Sequence, residues 1–416
     1  MVRAKKGQDV NVSDLNTIDL GKEMGLTLLS DSNSSNVNNV IPTGIPQYDK
    51  ILGGGIPLGR FTDIYGKEQS GKSSFASYLS RVTTQLGIIT IWIDVEGTAD
   101  NKRLEQLGVD TTKLFSIQPG VDRLKNVPVL TVEKVGEELE HWITTFNDKY
   151  PGIPILFIWD SIANTMSKHE LEGSFDDKKI GVKSASNTKM INKVTPLLNN
   201  TNTGLIIINQ ARDDFDAGFY GDDVKPTGGK ALEHASSLRM LVAKGKQIKQ
   251  PKPGSKYEEY VGHVMRIKTK KSKMSRPNQS AEAYLLSEYD LEDGTQLNGF
   301  DLEFNAFYEA KEIGLFEGTQ YKSFITKKGE EVKLREKEWL VRLKEDRELY
   351  LDLITRIYAH HFPSGFAPLQ NKNVDVTRLE EFQALEKHYA ELEEENNKQE
   401  DQEEETKGES QEKDSK

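Results

Sequence analysis

Eight consecutive residues have the composition and spacing of a phosphate-binding loop. Residues 66–73 read Gly-Lys-Glu-Gln-Ser-Gly-Lys-Ser, which matches the pattern G-x-x-x-x-G-K-[ST]. The glycines let the backbone curl so that its amides face a phosphate, and a helix beginning near Lys72 adds the positive end of its dipole. Lys72 can reach the β- and γ-phosphates, and the Ser73 hydroxyl can bind Mg²⁺. The predicted nucleotide-binding residues are Gly66, Lys67, Glu68, Gln69, Ser70, Gly71, Lys72, Ser73 and Ser74.

Three further polar residues follow short apolar runs and could complete the chemistry of such a loop. Asp160 ends the run Ile-Leu-Phe-Ile-Trp, where a carboxylate can orient Mg²⁺ and its waters. Glu96 follows Ile-Trp-Ile-Asp-Val and could polarise an attacking water, or it could simply cap a loop or helix. Gln210 follows Leu-Ile-Ile-Ile-Asn, and its amide could hydrogen-bond a γ-phosphate.

The elements that must position these residues alternate between strands and helices. Short apolar strands are predicted at residues 61–65, 88–93, 155–159 and 205–208, with helices at 73–85 and 132–147. The strands are apolar almost throughout, as expected when both faces of a sheet are covered. Alternation of this kind predicts an α/β fold with a mostly parallel central sheet and right-handed crossovers.

The alternation of apolar strands and helices ends at about residue 295. Beyond it, charged helices are predicted at 306–313, 337–343 and 347–360. We predict a short N-terminal arm and linker (1–40), a core (41–295), a small C-terminal α/β domain (296–387) and a disordered acidic tail (388–416). The net charge is −11, yet residues 391–416 alone hold 12 acidic residues against four lysines. Charge is therefore segregated along the chain, and the tail either competes with a polyanion for basic surface or only aids solubility.

Composition excludes several classes of protein. None of the 416 residues is cysteine, which rules out disulfides and thiolate metal sites. The seven histidines show no metal-ligand spacing. No apolar run reaches the roughly 18 residues of a membrane span, and no apolar signal region follows the basic N-terminus. We expect a cytoplasmic protein without a membrane partner.

Taken in order, these elements resemble the RecA family of recombinases, including phage relatives such as UvsX. The similarity runs over residues 41–318 and includes Leu-Gly-Gly-Gly-Ile-Pro-Leu-Gly-Arg at 52–60, the loop at 66–73, and Thr-Gly-Gly-Lys-Ala-Leu at 227–232. The resemblance implies a RecA-like P-loop NTPase core that uses ATP and Mg²⁺. Divergence from bacterial RecA and an altered C-terminal unit favour a phage origin.

The resemblance also implies a role for each matching residue. Lys72 and Ser73 would bind phosphates and Mg²⁺, Asp160 would serve the metal, and Asp100 and Arg103 would contact adenine. The catalytic set that it implies is Lys72, Glu96, Gln210, Lys271 and Lys273. In this set Glu96 would activate water and Gln210 would sense the γ-phosphate, while the last two lysines would reach into the ATP site of a neighbouring subunit.

Two segments would face DNA, at about residues 168–184 and 211–230. The implied DNA-binding residues are Lys178, Lys179, Arg212, Phe219, Tyr220, Gly228, Gly229 and Lys230. Phe219 and Tyr220 could wedge between bases, or could pack against their own domain. The second segment departs from the family in its acidity, with aspartates at 213, 214, 216, 222 and 223.

These observations predict a DNA-dependent ATPase that forms helical filaments on single-stranded DNA and pairs it with homologous duplex in recombination and repair. The implied partners are both forms of DNA and further copies of the chain, with a single-strand-binding protein and a loading mediator as further candidates. A ring motor or helicase on the same fold is one alternative, and a mediator that does not hydrolyse ATP is another.

Overall fold

The computed structural model describes most of the chain from residue 37 onward. The described residues are 37, 39–95, 97, 100–174, 181–213, 224–227, 229–251 and 257–414, with side chains as far as residue 398. The predicted arm and most of the predicted linker lie outside these ranges.

The helices are α1 (Pro46–Leu52), α2 (Lys72–Gln85), α3 (Asn101–Gln106), α4 (Val132–Lys149), α5 (Lys168–Glu172), α6 (Val182–Asn199), α7 (Lys230–Ala235), α8 (Leu302–Glu312), α9 (Glu336–Glu345), α10 (Arg347–His361) and α11 (Glu380–Asp414). The strands are β1 (Val40–Ile41), β2 (Ile56–Pro57), β3 (Phe61–Gly66), β4 (Ile89–Asp94), β5 (Leu114–Ile117), β6 (Ile155–Asp160), β7 (Thr203–Asp213), β8 (Val224–Pro226), β9 (Leu238–Pro251), β10 (Glu258–Ser272), β11 (Ser280–Asp290), β12 (Gln296–Gly299), β13 (Tyr321–Ile325) and β14 (Glu331–Arg335).

One large sheet organises the described part of the chain, in the order β12-β11-β10-β9-β3-β7-β6-β4-β5. The strands from β5 to β9 in that order are parallel, and β10, β11 and β12 add an antiparallel edge. This arrangement confirms the predicted α/β fold with a mostly parallel central sheet. The predicted strands and helices of the core appear within two residues of their expected ends, except that β7 continues beyond the predicted 205–208 as far as Asp213.

Side chains of the central strands alternate between two buried layers. Phe61, Phe157 and Ile207 point into the layer formed with α4 and α6. Ile64 and Ile158 point into the other layer, with α2. Because successive residues of a strand face opposite sides of a sheet, a strand covered on both faces must be apolar at nearly every position.

The C-terminal residues extend the core that surrounds α2. Buried side chains of α8, α9, α10 and the start of α11 belong to the same apolar cluster as Ile64. The predicted domain boundary at 295/296 falls beside β12, which pairs with β11 as the edge strand of the central sheet. The predicted C-terminal helices correspond to α8, α9 and α10.

The helix α11 runs through the predicted boundary between the C-terminal domain and the acidic tail. Within the described residues this helix extends as far as Asp414. Glutamate, glutamine and lysine dominate its last part, and all three have high helix propensity. Disorder of the acidic tail at 388–416 stays a prediction.

A buried carboxylate joins the start of the core to the C-terminal helices. Asp49 is fully buried, and it accepts hydrogen bonds from the amide and hydroxyl of Thr43 (both 2.7 Å), the Gly44 amide (3.2 Å) and the Tyr358 hydroxyl (2.7 Å). Burial raises the pKa of Asp49 to about 7, although these hydrogen bonds act to lower it. We call Thr43, Gly44, Asp49 and Tyr358 the Asp49 joint.

None of the helices in the described ranges combines the length and apolar character needed to cross a membrane.

Candidate nucleotide site and DNA-facing segments

The phosphate loop lies between the end of β3 and the start of α2, as the sequence predicted. Both loop glycines pack closely against the neighbouring strands β9 and β10. A Cβ on Gly66 would lie 2.1 Å from the Val242 carbonyl oxygen, and one on Gly71 would lie 2.8 Å from the Met265 sulfur. Gly71 also has a φ of 100°, which disfavours any other residue. Contacts with β9 and β10 therefore restrict the conformation of the loop.

The Lys72 ammonium lies inside this loop. Lys72 is only 8% exposed, and its Nζ donates to the carbonyl oxygens of Gly66 (3.0 Å) and Lys67 (2.7 Å). Burial lowers the pKa of Lys72, while the charges of Asp160 and Glu68 act in the opposite direction. An ammonium group that donates to neutral carbonyls in a partly desolvated loop can exchange those carbonyls for negatively charged phosphate oxygens, which bind it more strongly.

The predicted metal-binding pair is brought together. The Ser73 hydroxyl donates to the Asp160 Oδ2 at 2.8 Å. A hydroxyl and a carboxylate beside a phosphate loop are oxygen ligands suited to Mg²⁺. Across the described ranges no group of three His, Asp or Glu side chains could hold a metal alone. These two residues therefore fit an ion that takes its other ligands from phosphate and water.

The remaining strand ends meet the loop because the strands are parallel and adjacent. Gly66 is in register with Gln210, and Asp94 is in register with Asp160. The Gln210 amide nitrogen donates to the Asn164 side-chain oxygen at 3.4 Å. Glu96 follows Asp94 by two residues and lies outside the described residues, so its role stays a prediction.

The two residues assigned to adenine both belong to the α3 region. Asp100 caps this helix, since its side chain accepts from the Lys102 amide at 2.9 Å. Arg103 lies on the same helix with an exposed side chain. Capping is a complete structural role for Asp100, and contact of either residue with adenine stays a prediction.

The second segment predicted to face DNA begins as a β-hairpin, where the sequence predicted a loop over residues 211–230. The strand β7 continues to Asp213 and pairs with β8 in antiparallel register. Two hydrogen bonds between Asn209 and Thr227 close the stem of this hairpin, from the Thr227 hydroxyl at 2.7 Å and to the Thr227 carbonyl at 2.5 Å. The strand that carries Gln210 therefore continues without a break into the hairpin. Residues 209–213 contain no β-branched side chain, so their composition did not predict a strand.

The predicted DNA-binding residues are only partly within the described chain. Arg212 is exposed on β7, and Lys230 is the first residue of α7. Gly229 has a φ of 86° and a Cβ there would lie 2.7 Å from the Ser184 hydroxyl, so packing against α6 is enough to require glycine. The DNA-binding predictions outside the described residues are Lys178, Lys179, Phe219, Tyr220 and Gly228.

The first segment predicted to face DNA also contains a helix that the sequence did not predict. Ser167 and Glu170 form a capping box at the start of α5, with the Glu170 amide 3.2 Å from the Ser167 hydroxyl. A serine followed three residues later by glutamate is the signal that could have found it.

The lysines predicted to act on a neighbouring subunit lie at the end of β10. The Lys271 Nζ donates to the carbonyl oxygens of Glu233 (2.8 Å) and His234 (2.9 Å), within its own chain. Burial lowers the pKa of Lys271, and the nearby charges of Lys273 and Arg239 add to this. Lys271 thus binds free carbonyls near the end of α7, and its action in a second subunit stays a prediction.

A buried ion pair beneath the loop was missed by reasoning from sequence. The Arg239 Nε donates to the Asp63 Oδ2 at 3.0 Å, tying β9 to β3. Burial raises the pKa of Asp63, although Arg239 acts to lower it. The available signal was an aspartate inside the otherwise apolar strand β3, because such a charge must find a partner when it is buried.

The sequence of this chain is similar to the sequences of known proteins. A family model described as the RecA N-terminal domain matches residues 11–290. Protein RecA of Mycobacteroides abscessus is 34% identical over 249 residues, which cover 60% of this chain and 65% of that protein. Protein RecA of Campylobacter lari is 32% identical over 243 residues, covering 58% and 64%. Protein RecA of Thermotoga petrophila is 28% identical over 312 residues, covering 74% and 78%.

The chain therefore spans slightly less than two thirds of the mycobacterial and Campylobacter relatives. The matched region contains the phosphate loop, the Ser73–Asp160 pair, Gln210 and the β7–β8 hairpin. Since the family model covers more than half of the sequence, the chain belongs to the RecA family.

Proposed function

We propose that this protein is an ATP-dependent recombinase that assembles into helical filaments on single-stranded DNA and pairs the bound strand with homologous duplex. Membership of the RecA family supports a role in recombination and repair. One observation supports the mechanism: β7 bears Gln210 beside the phosphate loop and continues directly into the β7–β8 hairpin, which we propose faces DNA. A single continuous strand thus joins the proposed nucleotide site to a proposed DNA site.

Nucleotide binding would use the loop as it stands. Loop amides and the start of α2 would bind the phosphates, and Lys72 would exchange its carbonyl partners for phosphate oxygens. Ser73 and Asp160 would hold Mg²⁺, which offsets the negative charge of the phosphates when bound. Asp100 and Arg103 are proposed to contact adenine.

Hydrolysis would need residues from two copies of the chain. We propose that Glu96 accepts a proton from the attacking water, and that Gln210 donates its amide hydrogen to the terminal phosphate. Lys271 and Lys273 of an adjacent copy would stabilise negative charge on the transferred group. Turnover would then depend on assembly, because half of the cations come from a neighbour.

DNA binding would use the segments at 168–184 and 211–230. The proposed contacts are Lys178, Lys179, Arg212, Phe219, Tyr220, Gly228, Gly229 and Lys230. Contacts to phosphate position a strand without reading its sequence, so homology would be tested by base pairing alone. We also propose a single-strand-binding protein and a loading mediator as partners, and the cytoplasm as the site of action.

A strand-exchange assay tests this proposal. Circular single-stranded DNA, homologous linear duplex and the purified chain should give joint molecules with ATP and Mg²⁺, and none without ATP or with unrelated duplex. Electron micrographs should show helical filaments. Closed rings that unwind duplex would instead favour a motor, and ATP binding without DNA-stimulated turnover would favour a mediator.

A further inference from the structure

An ion pair connects the phosphate loop to the DNA-facing hairpin. The Lys67 Nζ lies 2.5 Å from the Asp213 Oδ1. Lys67 is the first residue after β3, and its carbonyl oxygen accepts the hydrogen bond from Lys72 described above. Asp213 is the last residue of β7 and is paired with Val224 of β8. The contact therefore bridges the loop that would hold phosphate and the stem that would present DNA-binding residues.

A bound triphosphate would compete with this pair. Lys67 belongs to the phosphate-binding loop, so phosphate oxygens and the Asp213 carboxylate would draw on the same ammonium group. Phosphate would also repel the carboxylate, since like charges a few ångströms apart destabilise each other. Because phosphate would attract Lys67 and repel Asp213, nucleotide binding and the Lys67–Asp213 ion pair would each weaken the other. By reciprocity, breaking the pair must favour triphosphate to the same extent as triphosphate disfavours the pair.

The acidity of the second segment indicates how this competition would affect DNA binding. Residues 213–223 contain five aspartates, which would oppose binding of a polyanion. We propose that the Lys67–Asp213 pair holds the β7–β8 stem in a position of low DNA affinity, and that triphosphate releases it by competing for Lys67. Asp213 is then a positioning residue that sets how strongly DNA binding depends on nucleotide. This inference rests on the proposed function.

The size of the effect follows from the exposure of the pair. The two side chains are 61% and 54% exposed, so the pair is screened by solvent and salt. Exposed pairs are worth at most about 1 kcal/mol, which corresponds to a factor of about five. We therefore expect a change of about three- to fivefold in the ratio of DNA affinities with and without nucleotide.

Two single substitutions test the pair, because competition and simple charge effects predict opposite results for one of them. The affinity of a fluorescein-labelled oligo-dT would be measured by anisotropy, without nucleotide and with saturating, slowly hydrolysed ATP analogue and Mg²⁺. Asp213→Asn and Lys67→Gln should each tighten binding without nucleotide about three- to fivefold. The gain on adding nucleotide should shrink by the same factor, and the double variant should match the single ones.

A matched control comes from another exposed pair. Lys193 and Glu140 lie 3.5 Å apart and are 61% and 51% exposed, and they join α6 to α4. Glu140→Gln removes one negative charge of similar exposure and should leave the nucleotide dependence unchanged.

The outcomes separate this inference from the proposed function. If Lys67→Gln weakens binding without nucleotide and both variants keep the wild-type ratio, only the charge of each residue matters and the inference is overturned. If the wild-type chain itself binds oligo-dT no better with nucleotide than without it, the proposed function fails and the inference falls with it.

Discussion

The phosphate loop and the Asp49 joint each bury an ionisable side chain, but the hydrogen-bond partners of the two side chains differ in kind. Lys72 donates to two backbone carbonyls of the phosphate loop. Asp49 is enclosed by four donors, two of them side-chain hydroxyls from Thr43 and Tyr358. Carbonyls can be exchanged for a ligand without unfolding the chain, whereas the donors around Asp49 cannot be replaced. The comparison indicates that the first charge serves binding and the second serves stability.

Removing the Lys72 cation should give the largest effect on ATP hydrolysis with little effect on stability, which separates the phosphate loop most clearly from the Asp49 joint. We expect Lys72→Ala to lower ATP hydrolysis more than about a thousandfold, because the proposed site would lose the cation that the loop holds for the β- and γ-phosphates. ATP-dependent DNA binding and joint-molecule formation should be lost as well. Thermal melting should show a stability close to that of the wild type, since deleting a buried cation also removes its desolvation cost. Strand exchange at the wild-type rate would contradict the assignment of the loop.

Titration of the Asp49 joint should instead change stability. The folded-state pKa of about 7 lies above the ordinary value of 3.8, so the folded chain favours the protonated form. The stability contributed by Asp49 is therefore complete below pH 4 and is lost as the pH rises to about 7. Each pKa unit corresponds to about 1.4 kcal/mol, which sets an upper limit of about 4 kcal/mol on the loss.

Denaturant titrations from pH 4 to pH 8 measure this loss as a change in the free energy of unfolding. The variant Asp49→Asn should be less stable overall but should lack this component of the pH dependence. Equal slopes for the two proteins would show that Asp49 stays ionised, with its four hydrogen bonds outweighing burial.

The proposed base should affect only the chemical step. We expect Glu96→Gln to lower turnover about a hundredfold while leaving ATP binding within a few fold, because general base catalysis contributes 10² to 10⁴. DNA complexes formed with ATP should persist for longer. Single-turnover hydrolysis and equilibrium ATP binding separate the two effects. If the carboxylate of Glu96 only caps a loop, turnover will stay near the wild-type rate.

The smallest effect concerns one hydroxyl of the joint. Tyr358→Phe removes the donor to Asp49 without changing the shape of the core, and should cost about 1 to 2 kcal/mol of unfolding free energy. ATP hydrolysis per folded molecule should not change. Tyr389→Phe is a suitable control, because the Tyr389 hydroxyl donates to the Phe362 carbonyl at 2.6 Å in a less buried position and should cost less. A similar cost at both positions would weaken the contrast between the joint and its surroundings.

The prediction from sequence was accurate where a local pattern carried the information. Apolar runs located β3, β6 and β7, and periodicity located α4. Reasoning about the second DNA-facing segment was less accurate, since β7 extends to Asp213 and pairs with β8. Pairing between strands depends on a partner many residues away, and the composition of either strand alone does not reveal it.

Local sequence patterns did not predict contacts between residues that are far apart in the chain. Nothing in the sequence joins Asp49 to Tyr358, which are 309 positions apart. The carbonyls bound by Lys271 belong to a helix more than thirty residues earlier. Such partners are chosen by the packing of the sheet and its flanking helices, because a buried charge takes whichever donor or acceptor the fold places beside it.

The sequence by itself determined the kind of fold and the chemistry of the loop at residues 66–73. Both depend on spacings of a few residues that backbone geometry converts directly into structure. Only the tertiary structure decided that Gly66 lies in register with Gln210 and that Lys67 forms an ion pair with Asp213. It also gave the contact between Ser73 and Asp160, which the sequence had predicted only as a shared role in binding Mg²⁺. The physical reason is the order of the parallel strands, which brings separate carboxyl ends to one edge and which no single strand specifies.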